Sequence, residues 1–171
     1  PVPDAPGLFS KLLKKDQPYR LDAKAGAHTW RFQDPYRFGR VLTDDDLYYL
    51  GEGSMHRLWK TLGAHVMEVD GVAGVHFAVW APNADRVAVV GDFNVWDARR
   101  HGMRRLGASG VWEIFVPGVM PGDVYKYSIR ANGHDLPLKA DPVGFGSEHP
   151  PKTGSVVRDI AGHDWTDAAW M

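Results

Sequence analysis

The sequence predicts an all-β chain, an immunoglobulin-like β-sandwich preceded by a short helix and by remnant strands of a truncated upstream sandwich. Three observations carry that prediction. From Ala64 onward apolar residues recur with period two, as half-buried strands require. Asp-Gly, Pro-Gly and Asn-Gly pairs punctuate these runs, and 19 Gly with 12 Pro supply the many turns an all-β chain needs. Finally, two phrases repeat at a sandwich-length offset of roughly 100 residues. Tyr19–Leu21 followed by DPYRFG (34–39) is echoed by Tyr125–Tyr127 followed by DPVGFG (141–146). A repeat at domain length marks tandem copies, so residues 1–33 read as the end of an upstream sandwich.

In chain order, Leu8–Lys14, Tyr19–Ala25 and His28–Phe32 are expected to form short strands around DQP and KAG turns. Residues 34–63 form a helical linker. Thr43 is an N-cap there, with Asp44, Asp45 and Asp46 at the positive end of the helix, so helix-start chemistry explains the three acids better than a metal site. Ser54 is expected to cap a second helix that buries Met55, Leu58, Trp59 and Leu62 on one face and stops at Gly63. Residues 64–160 form the sandwich. His65–Val69 and Val75–Trp80 flank a DGVAG hairpin, with Val75, Phe77 and Val79 on one face and His76 on the other. Arg86–Val90 follows, then Val111–Val116 with Trp112, Ile114 and Val116 inward, then Val124–Arg130 with Tyr125, Tyr127 and Ile129 inward. His134–Leu138 and Ser155–Val157 complete seven strands.

Composition narrows the function classes. A net charge of −1 gives no electrostatic case for nucleic acid or an anionic membrane, and no apolar run reaches membrane-spanning length. The absence of cysteine removes disulfides and thiolate metal sites and favours a reducing, cytoplasmic compartment. No nucleophile elbow, phosphate loop, dinucleotide fingerprint or HExxH pair occurs, and the eight histidines lack ligand spacing, so no catalytic residue, cofactor or metal is assigned. Asp92 and Asp97 bracket a turn, where Asp is common for backbone reasons, and do not make a pair of glycosidase carboxylates. Pro1 at the start and the abrupt DWTDAAWM at the end read as the edges of a fragment.

What remains is a binding surface. Sugars present flat C–H faces and a rim of hydroxyls, which aromatic plates and a few polar side chains match. In GDFNVWD, alternation places Phe93 and Val95 inward and throws Asn94 and Trp96 outward. Lys126, out of phase with Tyr125 and Tyr127, faces solvent and would share a face with Trp96 if their strands pair. The alternatives are rim packing or an interdomain contact for Trp96 and a solvated strand lysine for Lys126.

The ordered series LGAH, GVHFAVWAPNADRVAVVGDFNVWD, RRHGM, GVWEIFVPG, YKYSI, LKADPVGFG and PPKTGSVV resembles the amino-terminal region of bacterial 1,4-α-glucan (glycogen) branching enzymes, with their family-48 carbohydrate-binding module. The match runs from about Asp34 to Val157. Residues 1–33 resemble the end of the extra sandwich many of these enzymes carry, and 161–171 the start of the linker to their (β/α)₈ barrel. The resemblance implies a non-catalytic piece of an enzyme. In the family the barrel cleaves an α-1,4 glucan through a covalent glycosyl-enzyme and transfers it to a 6-hydroxyl. The nucleophile and acid belong to that barrel, which is the module's expected partner together with the glucan. It also implies that Trp96 stacks on glucose and that Lys126 bonds hydroxyls. Leu138 or Leu136 stands where a second tryptophan is usual, and Thr153, Ser155 and Val157 lie near the family's Leu, Thr and Asn, with the asparagine unmatched. The sugar-binding candidates are thus Trp96, Lys126, Asn94 and Leu138. The competing functions are a purely structural sandwich packing on the barrel and a glycogen-targeting module of a regulatory assembly.

Overall fold

A computed structural model of the chain describes residues 9–12, 15 and 17–162. Strands β1 (Leu21–Ala25) and β2 (His28–Phe32) form an antiparallel hairpin that pairs with no other strand among the described residues. Its side chains are largely exposed, Trp30 and Phe32 among them. Residues 9–12 form no strand, and the rest of the expected Leu8–Lys14 run lies largely outside the described residues, as does DWTDAAWM.

Helix α1 (Asp44–Glu52) starts as expected. Thr43 accepts from the Asp46 amide, Asp46 returns the bond to the Thr43 amide, and Asp44–Asp46 occupy the first turn. The second helix, expected from Ser54, does not form. Gly53 ends α1 in the left-handed conformation, and the amides of Ser54 and Met55 both turn back to the Tyr49 carbonyl. The Ser54 hydroxyl donates to Glu52 instead of capping, and only a 3-10 turn at Leu58–Lys60 follows. Leu58 and Trp59 are therefore exposed rather than packed, with the Lys60 ammonium 5.6 Å from the Trp59 ring. Gly63 is no helix stop. It begins β3 at φ 106, and a Cβ there would lie 3.0 Å from the Val143 carbonyl.

Two four-stranded sheets follow. In the first, β3 (Gly63–Val69) and β4 (Val72–Trp80) are joined at Asp70-Gly71, both with positive φ, the geometry of a tight hairpin turn. β4 continues to β7 (Val111–Pro117) and β7 to β6 (Arg104–Arg105), all antiparallel. The second sheet pairs β5 (Arg86–Gly91) with β8 (Val124–Ala131). The other edge of β8 takes β9 (His134–Asp135) and β10 (Ser155–Val156). The expected strand over 134–138 is shorter because Pro137 has no amide to donate. Leu136 still bonds Ile129, and Lys139 still pairs with Tyr127.

Between the sheets, Val75, Phe77 and Val79 meet Val87, Val89, Trp112, Ile114, Val116, Tyr125 and Tyr127 in one core, with Ile129 packed at its margin. The inward sets follow the period-two reading. The far side of the first sheet is also covered. Phe38 packs edge-on against Phe115 at 4.8 Å, and Leu42, Leu62, Leu47 and Leu50 close over Ala78 and Val111. Residues 34–62 thus form a third layer on this sheet, and His76, whose face alternation leaves open to solvent, is buried beneath it.

Candidate functional site

β5 ends at Gly91, where a Cβ would run into the Val124 carbonyl and the Phe93 ring, so no larger residue fits. Alternation stops there. Asp92–Asn94 wind into a 3-10 turn, and Val95 and Trp96 both take left-handed backbones at φ 58. The turn reverses two of the expected orientations. Val95 is 75% exposed, whereas Asn94 is 1% exposed. The Asn94 oxygen accepts from the Gly91 amide, and its nitrogen donates to the Val89 carbonyl at 2.9 Å and to His101 Nδ1 at 2.8 Å. Asn94 is therefore not an outward sugar contact, because a turn replaces the strand on which its outward direction depended. His101 was not legible as its partner, since a lone histidine seven residues away carries no local signal. Burial, with Arg100 adding to it, pushes the His101 imidazole down to about 4.

Trp96 does reach the surface, at 37% exposure. Its amide donates to the Gly91 carbonyl and its indole N–H to Asp92 Oδ1 at 2.8 Å, so the ring is held at both ends. Gly91, whose carbonyl takes the Trp96 amide, pairs with Tyr125 of β8, and Val90 pairs with Lys126. Lys126 donates from Nζ to Thr153 Oγ1 at 2.7 Å. The pairing of Tyr127 with Lys139 sets Leu138 beside Ser128, on the same side of the sheet as Lys126, and Leu138 is 43% exposed. No hydrogen bond joins Trp96 to Lys126 or Leu138 among the described residues. Of the terminal candidates, Thr153 is exposed, while Ser155 and Val157 are buried. The result is a shallow face with one aromatic plate, one cation and one hydroxyl.

Beneath this face, Asp141 Oδ2 accepts from the hydroxyls of Tyr125 at 2.7 Å and Tyr127 at 3.1 Å, and the Asp141 amide donates to Ser155 Oγ. Burial raises the Asp141 carboxyl against the pull of these bonds, and it raises both phenols as well. These buried groups tie the loop after β9 to β8 and do not open onto a cleft. A separate groove of about 1320 Å³, lined by Trp30, Phe32, Tyr36 and His101 among others, runs between the β1–β2 hairpin and the sandwich. Neither Trp96 nor Lys126 lines it.

Two antiparallel sheets packed on one core make a β-sandwich, the architecture of a carbohydrate-binding module. The pattern of carbohydrate-binding module 48 (isoamylase N-terminal domain) matches residues 61–144. The chain is 62% identical over 172 residues to the 1,4-alpha-glucan branching enzyme GlgB of Roseobacter denitrificans, covering 98% of this chain and 24% of that protein. It is 56% identical over 167 residues to the enzyme of the same name from Rubrobacter xylanophilus, covering 96% and 23%. Among solved structures it is similar to pullulanase type I from Bacillus subtilis complexed with maltose, with 28% identity, a TM-score of 0.49, and coverage of 61% of this chain and 14% of that one. The chain is similar to one part of these 1,4-alpha-glucan branching enzymes, spans about a quarter of the length of the curated relatives it matches, and contains the carbohydrate-binding module 48 pattern. No helix among the described residues is long and apolar enough to cross a membrane.

Proposed function

We propose that this chain binds α-1,4-glucan weakly through Trp96, with Lys126 and Leu138 beside it, and so holds polymer near the catalytic barrel of a cytoplasmic branching enzyme that forms α-1,6 branches in glycogen biosynthesis. The observation that carries the reading is the fixed indole of Trp96, exposed in the turn that follows β5, the strand whose Val90 pairs with Lys126. Its ring offers the flat apolar plate that a glucose face requires. Lys126 and Thr153 offer donors and acceptors for hydroxyls, and Leu138 adds apolar area where a second ring is usual. Asn94 takes no part in contact with the sugar. Residues 1–33 are the end of an upstream sandwich, a reading supported by a hairpin that pairs with no other strand among the described residues and exposes Trp30 and Phe32; 34–63 connect it to the module, and 161–171 lead toward the barrel.

A second reading, a structural sandwich that packs on the barrel without holding sugar, is favoured by one observation. The Lys126 ammonium already has a partner in Thr153, and a single aromatic makes a small site. Titration with maltoheptaose separates the two. With one anchor ring, binding is expected at about 0.1–1 mM. Trp96→Ala removes roughly 30-fold or more, the effect of an aromatic anchor. Lys126→Ala costs less, about 1 kcal/mol. Titration that shows no binding by the wild-type chain supports the structural reading, and equal binding by Trp96→Ala puts the sugar on another face and overturns the role of Trp96.

A further inference from the structure

We propose that Asn94 and His101 form a clasp that positions Trp96 for glucan and that closes only while His101 is neutral, an inference that rests on Trp96 being the sugar-stacking ring. The hydrogen bonds fix each atom's role. The Asn94 carboxamide meets a donor, the Gly91 amide, and an acceptor, the Val89 carbonyl, so its oxygen and nitrogen are not interchangeable. Its second amide hydrogen is then left for His101 Nδ1, 2.8 Å away. That nitrogen must accept, so the ring carries its single proton on Nε2. His101 cannot swing aside easily, because the Val89 amide donates to its carbonyl and the Met103 amide bonds Val87 along the edge of β5.

The clasp closes the ring of chain that carries Trp96. Inside it, Val95 and Trp96 sit in the left-handed region, which a β-branched and an aromatic residue adopt only when their surroundings impose it. The Trp96 amide bonds the carbonyl of Gly91, whose own amide donates to the Asn94 oxygen, and the indole reaches back to Asp92 next to it, so the tryptophan is tied to the residues beside the clasp. Protonating Nδ1 sets two donors face to face, opens the clasp and frees the ring. The charged groups around His101 are Arg100 beside it and, across the groove, Arg20, Arg31 and Asp34. Burial, with the Arg100 charge adding to it, keeps the imidazole neutral at physiological pH. Asn94 and His101 are positioning residues and touch no sugar.

The test uses the 171-residue chain with Trp96→Ala, His101→Gln, whose amide oxygen accepts and does not titrate, and His101→Leu, which accepts nothing. The Trp96 indole N–H resonance is identified by its loss in Trp96→Ala. The account expects it sharp and slow to exchange in the wild type and in His101→Gln, and broadened or fast to exchange in His101→Leu. Maltoheptaose affinity should stay within about 3-fold in His101→Gln and fall about 10-fold or more in His101→Leu, at a temperature where thermal melts show each variant folded. As pH falls through about 4 the wild type, where melts show it still folded, should lose affinity and His101→Gln should not. An indole signal unchanged in His101→Leu overturns the clasp, as does an acid loss that persists in His101→Gln. If Trp96→Ala binds as well as wild type, the sugar-stacking reading falls and the positioning role for glucan falls with it, while the ligand-free indole signal still decides whether the clasp fixes Trp96.

Discussion

His76 Nε2 lies 2.9 Å from Glu113 Oε2, both side chains almost wholly buried between the first sheet and the layer of residues 34–62. The same carboxylate accepts the backbone amides of Val41 and Leu42, and Arg104 approaches it at 3.7 Å. Burial by itself raises the Glu113 carboxyl, but the bonds from His76, Leu42 and Val41 outweigh it and hold the group below its ordinary value. One carboxylate thereby fastens the amino-terminal layer to the sandwich.

Removing it strands three donors in the interior. Glu113→Ala is expected to cost about 3 kcal/mol or more, at about 1–3 kcal/mol for each buried donor left without its acceptor. Glu113→Gln, which keeps an acceptor for the amides, should cost about 1–2 kcal/mol. Chemical denaturation gives both numbers. Hydrogen exchange should show the amides of Val41 and Leu42 losing protection first.

The Tyr125–Tyr127–Asp141 cluster gives a second test. Asp141→Ala leaves two buried hydroxyls without an acceptor and should destabilise by about 1–3 kcal/mol for each. Tyr127→Phe removes a single partner and should cost about 1 kcal/mol. Thermal melts that rank the two substitutions in the opposite order would show that Asp141 does not organise this region.

Acid should weaken the fold in a defined window. His65 and His101 are both pushed below their ordinary 6.5 by burial, His101 to about 4. Between those values the unfolded chain binds more protons than the folded one, so stability falls as pH drops from about 6.5 toward 4. Asp141, raised by burial, acts in the opposite sense. The stability it contributes is present at acid pH and is lost as pH rises through its folded value. Melting temperatures measured from pH 7.5 to 4.5 should decline, and decline less in His101→Gln.

The β1–β2 hairpin should exchange amide hydrogens far faster than the sandwich, since a two-stranded sheet with exposed faces is marginal by itself. Exchange in Leu21–Ala25 as slow as in Val124–Ala131, measured on a monomer, would contradict this.

The sandwich was legible in the sequence because its strands obey period two where one face meets the core. The runs Val75–Val79, Trp112–Val116 and Tyr125–Ile129 bury the expected residues. The same rule puts His76 on the opposite face but does not show that this face is buried, because the segment that covers it is distant in sequence and periodicity within a strand carries no information about a third layer. The Ser54 helix failed because Gly53 in the left-handed region ends the first helix and sends the following amides backward. At the site, Trp96 reaches the surface and Lys126 lies out of phase with the buried Tyr125 and Tyr127, as alternation expects, whereas Asn94 is buried. Alternation was carried past Gly91 into a 3-10 turn, where it no longer applies.

The central claim, that glucan lies across Trp96 and the adjacent outer side of β8, is tested most directly by amide and indole chemical-shift mapping during titration with maltoheptaose. The account predicts progressive shifts at the Trp96 indole, Lys126, Leu138 and Thr153, with the buried layer around His76 and Glu113 unmoved. Saturating sugar that leaves these four signals in place, or that shifts another face of the sandwich instead, would contradict it.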